Sequence, residues 1–511
     1  MKQSVSWRRR AVFGLTLVAA GFLVLSFLRY YRENLSELVL KMVLLPASLI
    51  AGGFLLGDEE LWKRKEYWLL LSFFAWVYIS AVCSEPYYGI FEQNWRFLWI
   101  LATEILFLFP LGFYYASAGK AGDRILAGFA WISIIAAVVL CIWGLSCVIQ
   151  GKYLEAVSIN GYGVGIHPGE RRLVVLAHPN PTGMVFTLCG ILAVMMAHRS
   201  QHALVRVFLA VSVLLLYAGT CLTDSRTSEM AFAAGIGCSL FITLFSALRG
   251  KRRYLRWSIS VIAGIIGVGV VFLLRTPVTA GLNGIAEQYA ATHAAETAAP
   301  VQKESGNTGK ATDSGQAEEM PEPVEVPTAV SRKIRIEPGK AFSGREKIWR
   351  TIIERMNQEK RSWLIGFSPY GIGLVMGEWM KEFIGYWMTE LHNSMIQILA
   401  SSGIPALLTL LAFLAVLGVK SIRAMTEDGE PEIPGWSRYA PAFFIAVICF
   451  SILETFFVLY EQVHFANFWF FLLAGWFCGG CSSEDRDPVR NPARTKITNF
   501  SKFNPNSSFF L

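Results

Sequence analysis

The chain has 511 residues, of which 54% are hydrophobic and only 16% charged, against about 25% charged in soluble domains. Its apolar residues form long runs almost from end to end, which excludes a soluble fold. The net charge of +8 is concentrated in short loops between those runs, a topological bias rather than a sign of nucleic acid as a partner.

A helix needs about 20 apolar residues to cross the hydrocarbon core. That length predicts spans near Ala11–Leu28, Leu38–Leu56, Tyr67–Cys83, Trp95–Tyr115, Ile125–Ile149, Leu173–Ala197, Ala203–Thr223, Thr227–Leu248, Trp257–Leu274, Met395–Val419, Ala440–Leu459 and Phe465–Cys481. The expected fold is an all-α polytopic membrane protein, a bundle of about twelve transmembrane helices. It divides into an N-terminal bundle (1–274), one large extracytoplasmic loop (275–390), C-terminal transmembrane helices (391–481) and a disordered cytoplasmic tail (482–511). The first span is too long for a cleaved signal and reads as a retained helix.

One set of loops holds Arg8, Arg9 and Arg10, then Lys63, Arg64 and Lys65, then Lys120, Arg124, Arg199 and Arg206. It continues with Arg249, Lys251, Arg252, Arg253 and Arg256, then Lys420, Arg423 and Arg438. Of the opposite set, Ser84–Asn94 and Tyr460–His464 have no Lys or Arg. Cytoplasmic loops carry the excess of Lys and Arg, so both termini are expected in the cytoplasm of a multi-pass inner-membrane protein. The nine cysteines lie in or beside spans and imply no disulfide framework. Cys478-Gly-Gly-Cys481 stands alone and reads as small packing residues rather than a metal or redox site.

In chain order, the first unusual element is His178-Pro-Asn180-Pro-Thr-Gly183, where two prolines and a glycine break the start of a span. Broken backbone at membrane depth is tolerated mainly where it lines a cavity. Asp224-Ser225-Arg226 follows as a tight outer connection; its arginine is either a snorkelling anchor or a ligand. Lys41, Glu104, Glu229 and Glu454 lie within spans, where each costs about 2.5–3.5 kcal/mol at a helix centre. All four are expected to face the bundle interior.

Within the outer segment, Gly284–Ser331 is rich in Ala, Glu, Thr, Pro and Gly and is expected to be a disordered insert. Ser343 and Glu346 fit a capping box, and Ile348, Trp349, Ile352, Ile353 and Met356 recur at helical spacing. This predicts a short amphipathic helix on the membrane surface or against the bundle mouth. Arg345, in its first turn, suits an anion held jointly with free amides, or is a solvated arginine. The glycine loop Gly366–Gly373 and the aromatic-rich Glu378–Trp387 come next. Leu391-His392-Asn393 then enters the following span. Taken alone, His392 is either a helix cap, a headgroup-zone residue or a titratable base. No metal-ligand spacing, Walker loop, nucleotide fingerprint or nucleophile elbow appears, so no cofactor is expected.

Arg345-x-x-x-Trp349, the glycine loop, and His392-Asn393-x-x-x-Gln397 running on to Gly403-Ile404-Pro405 resemble the O-antigen ligase family. Asp224-Ser225-Arg226 and Asn180-Pro-Thr-Gly183 share the resemblance. It implies a membrane glycosyltransferase that moves a glycan from undecaprenyl diphosphate to an acceptor hydroxyl on the outer face, inverting and metal-independent. The acceptor is lipid A–core, a growing polysaccharide or a protein, and a polymerase of the same family is the alternative. Carried over residue by residue, His392 is the catalytic base, and Arg226 and Arg345 hold the donor diphosphate. Asn393, Asp224, His178, Asn180 and Glu454 are supporting candidates. A lipid or polysaccharide transporter, the reading from another class, predicts midplane charges and internal repeats, whereas the notable polar groups here cluster at the outer face.

Overall fold

The computed structural model describes residues 2–28, 38–154, 163–166, 172–176, 178–297, 345–384, 390–426, 435–455 and 465–480. Its helices are α1 Lys2–Leu28, α2 Leu45–Leu55 (entered through a π turn at Leu40–Leu44), α3 Glu59–Trp62, α4 Lys65–Tyr88, α5 Phe91–Thr103, α6 Phe109–Ser117, α7 Lys120–Ile149 and α8 Pro179–Arg199. They continue as α9 Ala203–Leu222, α10 Arg226–Ala247, α11 Arg253–Thr297, α12 Arg345–Gln358, α13 Ser362–Ile365, α14 Gly371–Ile384, α15 Ser394–Thr426, α16 Gly435–Leu453 and α17 Phe465–Gly480. Eight of the described helical segments are long and apolar enough to cross a membrane: Lys65–Tyr88, Gln93–Ser117, Lys120–Ile149, Pro179–Arg199, Ala203–Leu222, Arg226–Ala247, Arg253–Tyr289 and Ser394–Thr426. Phe13–Phe27, Leu40–Leu55, Arg438–Leu453 and Phe465–Gly480 are shorter apolar helices.

The fold is mostly helical but not all-α. Tyr153–Leu154, Val164–Ile166 and Leu173–Val174 form a three-stranded antiparallel sheet, with Tyr153 opposite Gly165 and Gly165 opposite Val174. Strands of two or three residues carry too little alternation to read from sequence. The sheet also moves the start of the predicted Leu173–Ala197 span to Pro179, because Leu173 and Val174 belong to a strand.

The core is apolar and aromatic. Trp469, Trp476, Phe107 and Phe109 are fully buried, and α6 and α17 approach so closely that a Cβ on Gly112 or Gly475 would overlap the facing backbone. Burial of the charged residues within spans follows expectation for Glu104, Glu229 and Glu454. Lys41 departs from it: the residue is exposed on the π turn, beside Met42 and Val43, which are exposed too. Its long stem can carry the ammonium along an apolar surface, so it need not turn inward.

Helix α11 sets the scale of the bundle. Near its start Arg256 donates to the Phe245 carbonyl at the far end of α10. Arg275 on the same helix pairs with Asp224, just before α10 begins. From Arg256 to Arg275 the helix rises about 29 Å at 1.5 Å per residue, close to the ~30 Å hydrocarbon thickness. It then runs on to Thr297. The stretch Gly284–Thr297, expected as the opening of a disordered insert, is therefore helical. The rest of that insert and Ser343 of the expected capping box lie outside the described residues. Helix α12 turns Ile348, Ile352 and Met356 inward, onto a small core with Phe367, Ile372, Met376, Leu391 and Ala400.

Candidate functional site

The glycine loop is held by a deliberate break in α15. Gly403 is non-helical (φ 77°, ψ −179°), and Pro405, lacking an N–H, cannot bond the Ser401 carbonyl four residues back. The freed acceptors are taken by the loop: Phe367 N–H donates to the Ala400 carbonyl and Ser368 N–H to the Ser401 carbonyl, each at 2.8 Å. Ser80 on α4 also donates to the Ser401 carbonyl, at 2.7 Å. Gly366 (φ 69°) sits against Ser401 and Gly403 against Leu364, with no room for a Cβ at either. Only glycine combines a positive φ with such an approach at no steric cost.

The residue ahead of His392 is clamped on both sides. The Trp349 indole donates to the Leu391 carbonyl at 2.7 Å, and Leu391 N–H donates to Gln397 Oε1 at 3.0 Å. Asn393 Oδ1 caps α15 by accepting from the N–H groups of Met395 and Ile396, while its amide donates to the Ile452 carbonyl at 2.8 Å. Ser394 Oγ donates to the Glu454 carbonyl at 2.9 Å. These contacts tie the start of α15 to the end of α16 and set His392 opposite Glu454. Asp224 (φ 48°), Ser368 (φ 71°) and His392 (φ 51°) are the non-glycine residues with positive φ among those described. Such backbone costs about 1–3 kcal/mol and clusters at functional sites.

Glu454 is the centre of the group. Its side chain is 2% exposed. Oε1 accepts from Arg345 Nη2 at 2.6 Å and from Asn180 Nδ2 at 2.9 Å, and Oε2 lies 3.0 Å from His392 Nδ1. An ionised carboxylate can only accept, so this contact places a proton on His392 Nδ1 and leaves Nε2 as the nitrogen for exchange. Truncating one partner of a buried pair typically costs 3–5 kcal/mol; Arg345 is 25% exposed and recovers some hydration, which lowers that figure here.

A second group adjoins the first. Arg275 pairs with Asp224 and, at 3.0 Å, with the buried Glu229. Arg172, just before the third strand, donates Nε to the Thr223 carbonyl at 2.7 Å, and Nη2 to Asn180 Oδ1 at 2.9 Å and to the Asp224 carbonyl at 3.3 Å. Arg226 opens α10 on an exposed surface. It contacts neither Glu454 nor Arg345 among the described residues. Arg275 pairs with both carboxylates, Arg172 donates to backbone carbonyls and Asn180, and Arg226 stands exposed at the start of α10.

Thus His392, Arg345, Asn180 and Glu454 meet directly, and Asp224 joins them through Arg172. Asn393 serves as a helix cap. His178 does too: its Nδ1 accepts from Asn180 N–H at 3.3 Å. The interrupted backbone around it is satisfied by Thr182 Oγ1, which donates to the His178 carbonyl and accepts from the N–H groups of Val175 and Leu176. Arg172 and Arg275 went unread as site residues in the sequence. A signal existed for Arg275: the buried Glu229 needs a cation at its own depth, and Arg275 ends the next apolar run. Among the described residues no group of three or more His, Cys, Asp or Glu could hold a metal ion.

Residues 210–411 match the family model described as O-Antigen ligase. The match takes in Asp224, Arg226, Arg275, Arg345, His392 and the Gly403 kink, and stops short of Arg172, Asn180 and Glu454. No curated protein matches the chain. The resemblance carried by the arginine and histidine motifs thus extends over a continuous segment, that of an O-antigen ligase- or polymerase-like membrane enzyme.

Proposed function

We propose that this chain moves a glycan from a polyprenyl diphosphate, undecaprenyl diphosphate in bacteria, to an acceptor hydroxyl at the outer face of the cytoplasmic membrane. The observation that carries the reading is the convergence of an imidazole and a guanidinium on one buried carboxylate, at the end of the bundle where α15 begins. His392 Nε2 takes the proton from the attacking hydroxyl, general-base catalysis being worth about 10²–10⁴-fold. Glu454 fixes the tautomer that leaves this nitrogen basic and stabilises the imidazolium as it forms. Arg345, through the guanidinium nitrogens not engaged by Glu454, and the exposed Arg226 hold the diphosphate and offset the charge developing as it leaves. Direct attack opposite the leaving group inverts the anomeric centre. The donor arrives already activated, so the chemistry calls on neither a nucleotide sugar nor a metal.

Loop charge supports the orientation. Lys63, Lys120, Arg199 and Lys420 fall at helix ends opposite to His392, where Lys420 pairs with Glu66 and Arg199 with Asp123. With those ends in the cytoplasm, both termini are cytoplasmic, the bundle has about twelve spans, and α12 to α14 lie outside. Ligase and polymerase differ in the acceptor alone, a lipid A–core hydroxyl or another lipid-linked glycan, and the same three side chains serve both.

The test is reconstitution in liposomes with a defined undecaprenyl-diphosphate oligosaccharide and an acceptor glycan, followed by assignment of the product's anomeric configuration. Transfer with inversion, unaffected by a chelator, is expected. Retention of configuration, or activity lost to the chelator and restored by a divalent ion, would overturn the mechanism.

A further inference from the structure

We infer that Arg172 is a positioning residue that joins the turn presenting Arg226 to the His392–Glu454 pair, acting through Asn180. The inference rests on the catalytic reading above. One guanidinium holds the backbone carbonyls of Thr223 and Asp224 on one side and the Asn180 side chain on the other. Asn180 passes the constraint on by donating to Glu454 Oε1, the oxygen that also accepts from Arg345.

The orientation of the amide is set by its neighbours. With Oδ1 toward Arg172 and Nδ2 toward Glu454, both contacts are attractive; a flipped amide would set two donors against each other and two acceptors against each other. Asn180 is therefore a directional link, and Arg172 is what fixes its direction. The turn it grips is strained at Asp224 (φ 48°) and leads directly into Ser225 and Arg226. Its position thus governs where the exposed arginine stands relative to Arg345. The contacts of Arg172 with Asn180 and the turn are the route by which it acts on the chemistry. The groups packed around Glu454 from other elements are Arg345 of α12, His392 and Ser394 at the start of α15, and Asn180 of α8.

Two substitutions separate a relay from a merely structural contact. Asn180→Asp keeps an acceptor for Arg172 but replaces the donor toward Glu454 with a second carboxylate. Arg172→Gln removes the fork, and Arg172→Lys keeps the charge with a single point of contact. In the liposome transfer assay, Asn180→Asp and Arg172→Gln should each lower kcat by about 10- to 100-fold, the loss of one charge-assisted hydrogen bond. The donor KM for Asn180→Asp should stay within about threefold, because the diphosphate arginines are untouched. Arg172→Gln should also raise KM through the slackened turn, and Arg172→Lys should recover part of both losses. Wild-type kcat in well-inserted Asn180→Asp and Arg172→Gln would overturn the relay, provided His392→Ala and Glu454→Gln are slowed by at least about 10²-fold in the same preparation. Turnover by His392→Ala at the wild-type rate would overturn the catalytic reading and the relay with it.

Discussion

Replacing Glu454 with glutamine changes one atom of the side chain and asks the most of the site. Three donors converge on this carboxylate: Arg345 Nη2 at 2.6 Å and Asn180 Nδ2 at 2.9 Å on one oxygen, His392 Nδ1 at 3.0 Å near the other. A glutamine amide has one oxygen and two N–H donors, so it cannot satisfy all three. If its oxygen stays with Arg345 and Asn180, its NH₂ faces His392 Nδ1, which must then become an acceptor. The imidazole proton moves to Nε2, and the nitrogen that would accept the acceptor's proton is no longer basic. A wrong tautomer of this kind costs about 10⁴-fold in the serine-protease triad, and a base contributes about 10²–10⁴-fold in general. The expected fall in kcat is therefore about 10²–10⁴-fold. Stability should suffer less: about 1.5–3 kcal/mol for hydrogen bonds to a charged group, reduced because Arg345, at 25% exposure, regains water. Single-turnover transfer by membrane-inserted protein, alongside thermal unfolding in detergent, separates the two effects. A Glu454→Gln enzyme that inserts normally and turns over within threefold of wild type would refute the tautomer argument.

Arg345→Lys should raise the donor KM by at least tenfold and weaken binding of a non-hydrolysable polyprenyl diphosphonate, because an ammonium cannot reproduce the bidentate fork; titration of that analogue checks it. Gly403→Ala should lower thermal stability by about 1–3 kcal/mol or more, since alanine must adopt a positive φ against the Leu364 backbone; a variant as stable as wild type would contradict the account of the kink. Cysteines introduced at Gly306 and Gly429 should label from the outside and from the cytoplasm respectively, and the reverse pattern would overturn the orientation.

What the sequence revealed and what it hid follow from the range of the interactions involved. Long spans show in sequence because hydrocarbon thickness imposes a length that any window detects. Helix α12 shows because its apolar stripe has a period. The Arg345 and His392 motifs show because each has a marked neighbour close in sequence, Trp349 four residues after Arg345 and Gln397 six residues after Leu391, although the Trp349–Leu391 contact itself spans 42 residues. Glu454 shows in the sequence as a costly charge in a span and as a supporting candidate, not as the centre of the group. Its partners stand 274, 109 and 62 residues away in Asn180, Arg345 and His392, and no periodicity links such positions. Arg172 was hidden for a further reason. It lies in the polar connection before α8, where an arginine costs nothing by itself, and its meaning depends on backbone carbonyls at Thr223 and Asp224 that carry no mark in the sequence. The small sheet was missed because its strands are shorter than any usable alternation, and Lys41 because a lysine can satisfy the membrane by reaching along it rather than by turning inward.

The most direct test of the catalytic account is a single-turnover measurement on His392→Ala loaded with an undecaprenyl-diphosphate glycan and supplied with saturating acceptor. The variant should bind the donor as wild type does and form glycosidic product at least about 10²-fold more slowly, because Arg226 and Arg345 remain while the base is gone. Product formed at the wild-type rate by donor-loaded His392→Ala would contradict the catalytic account.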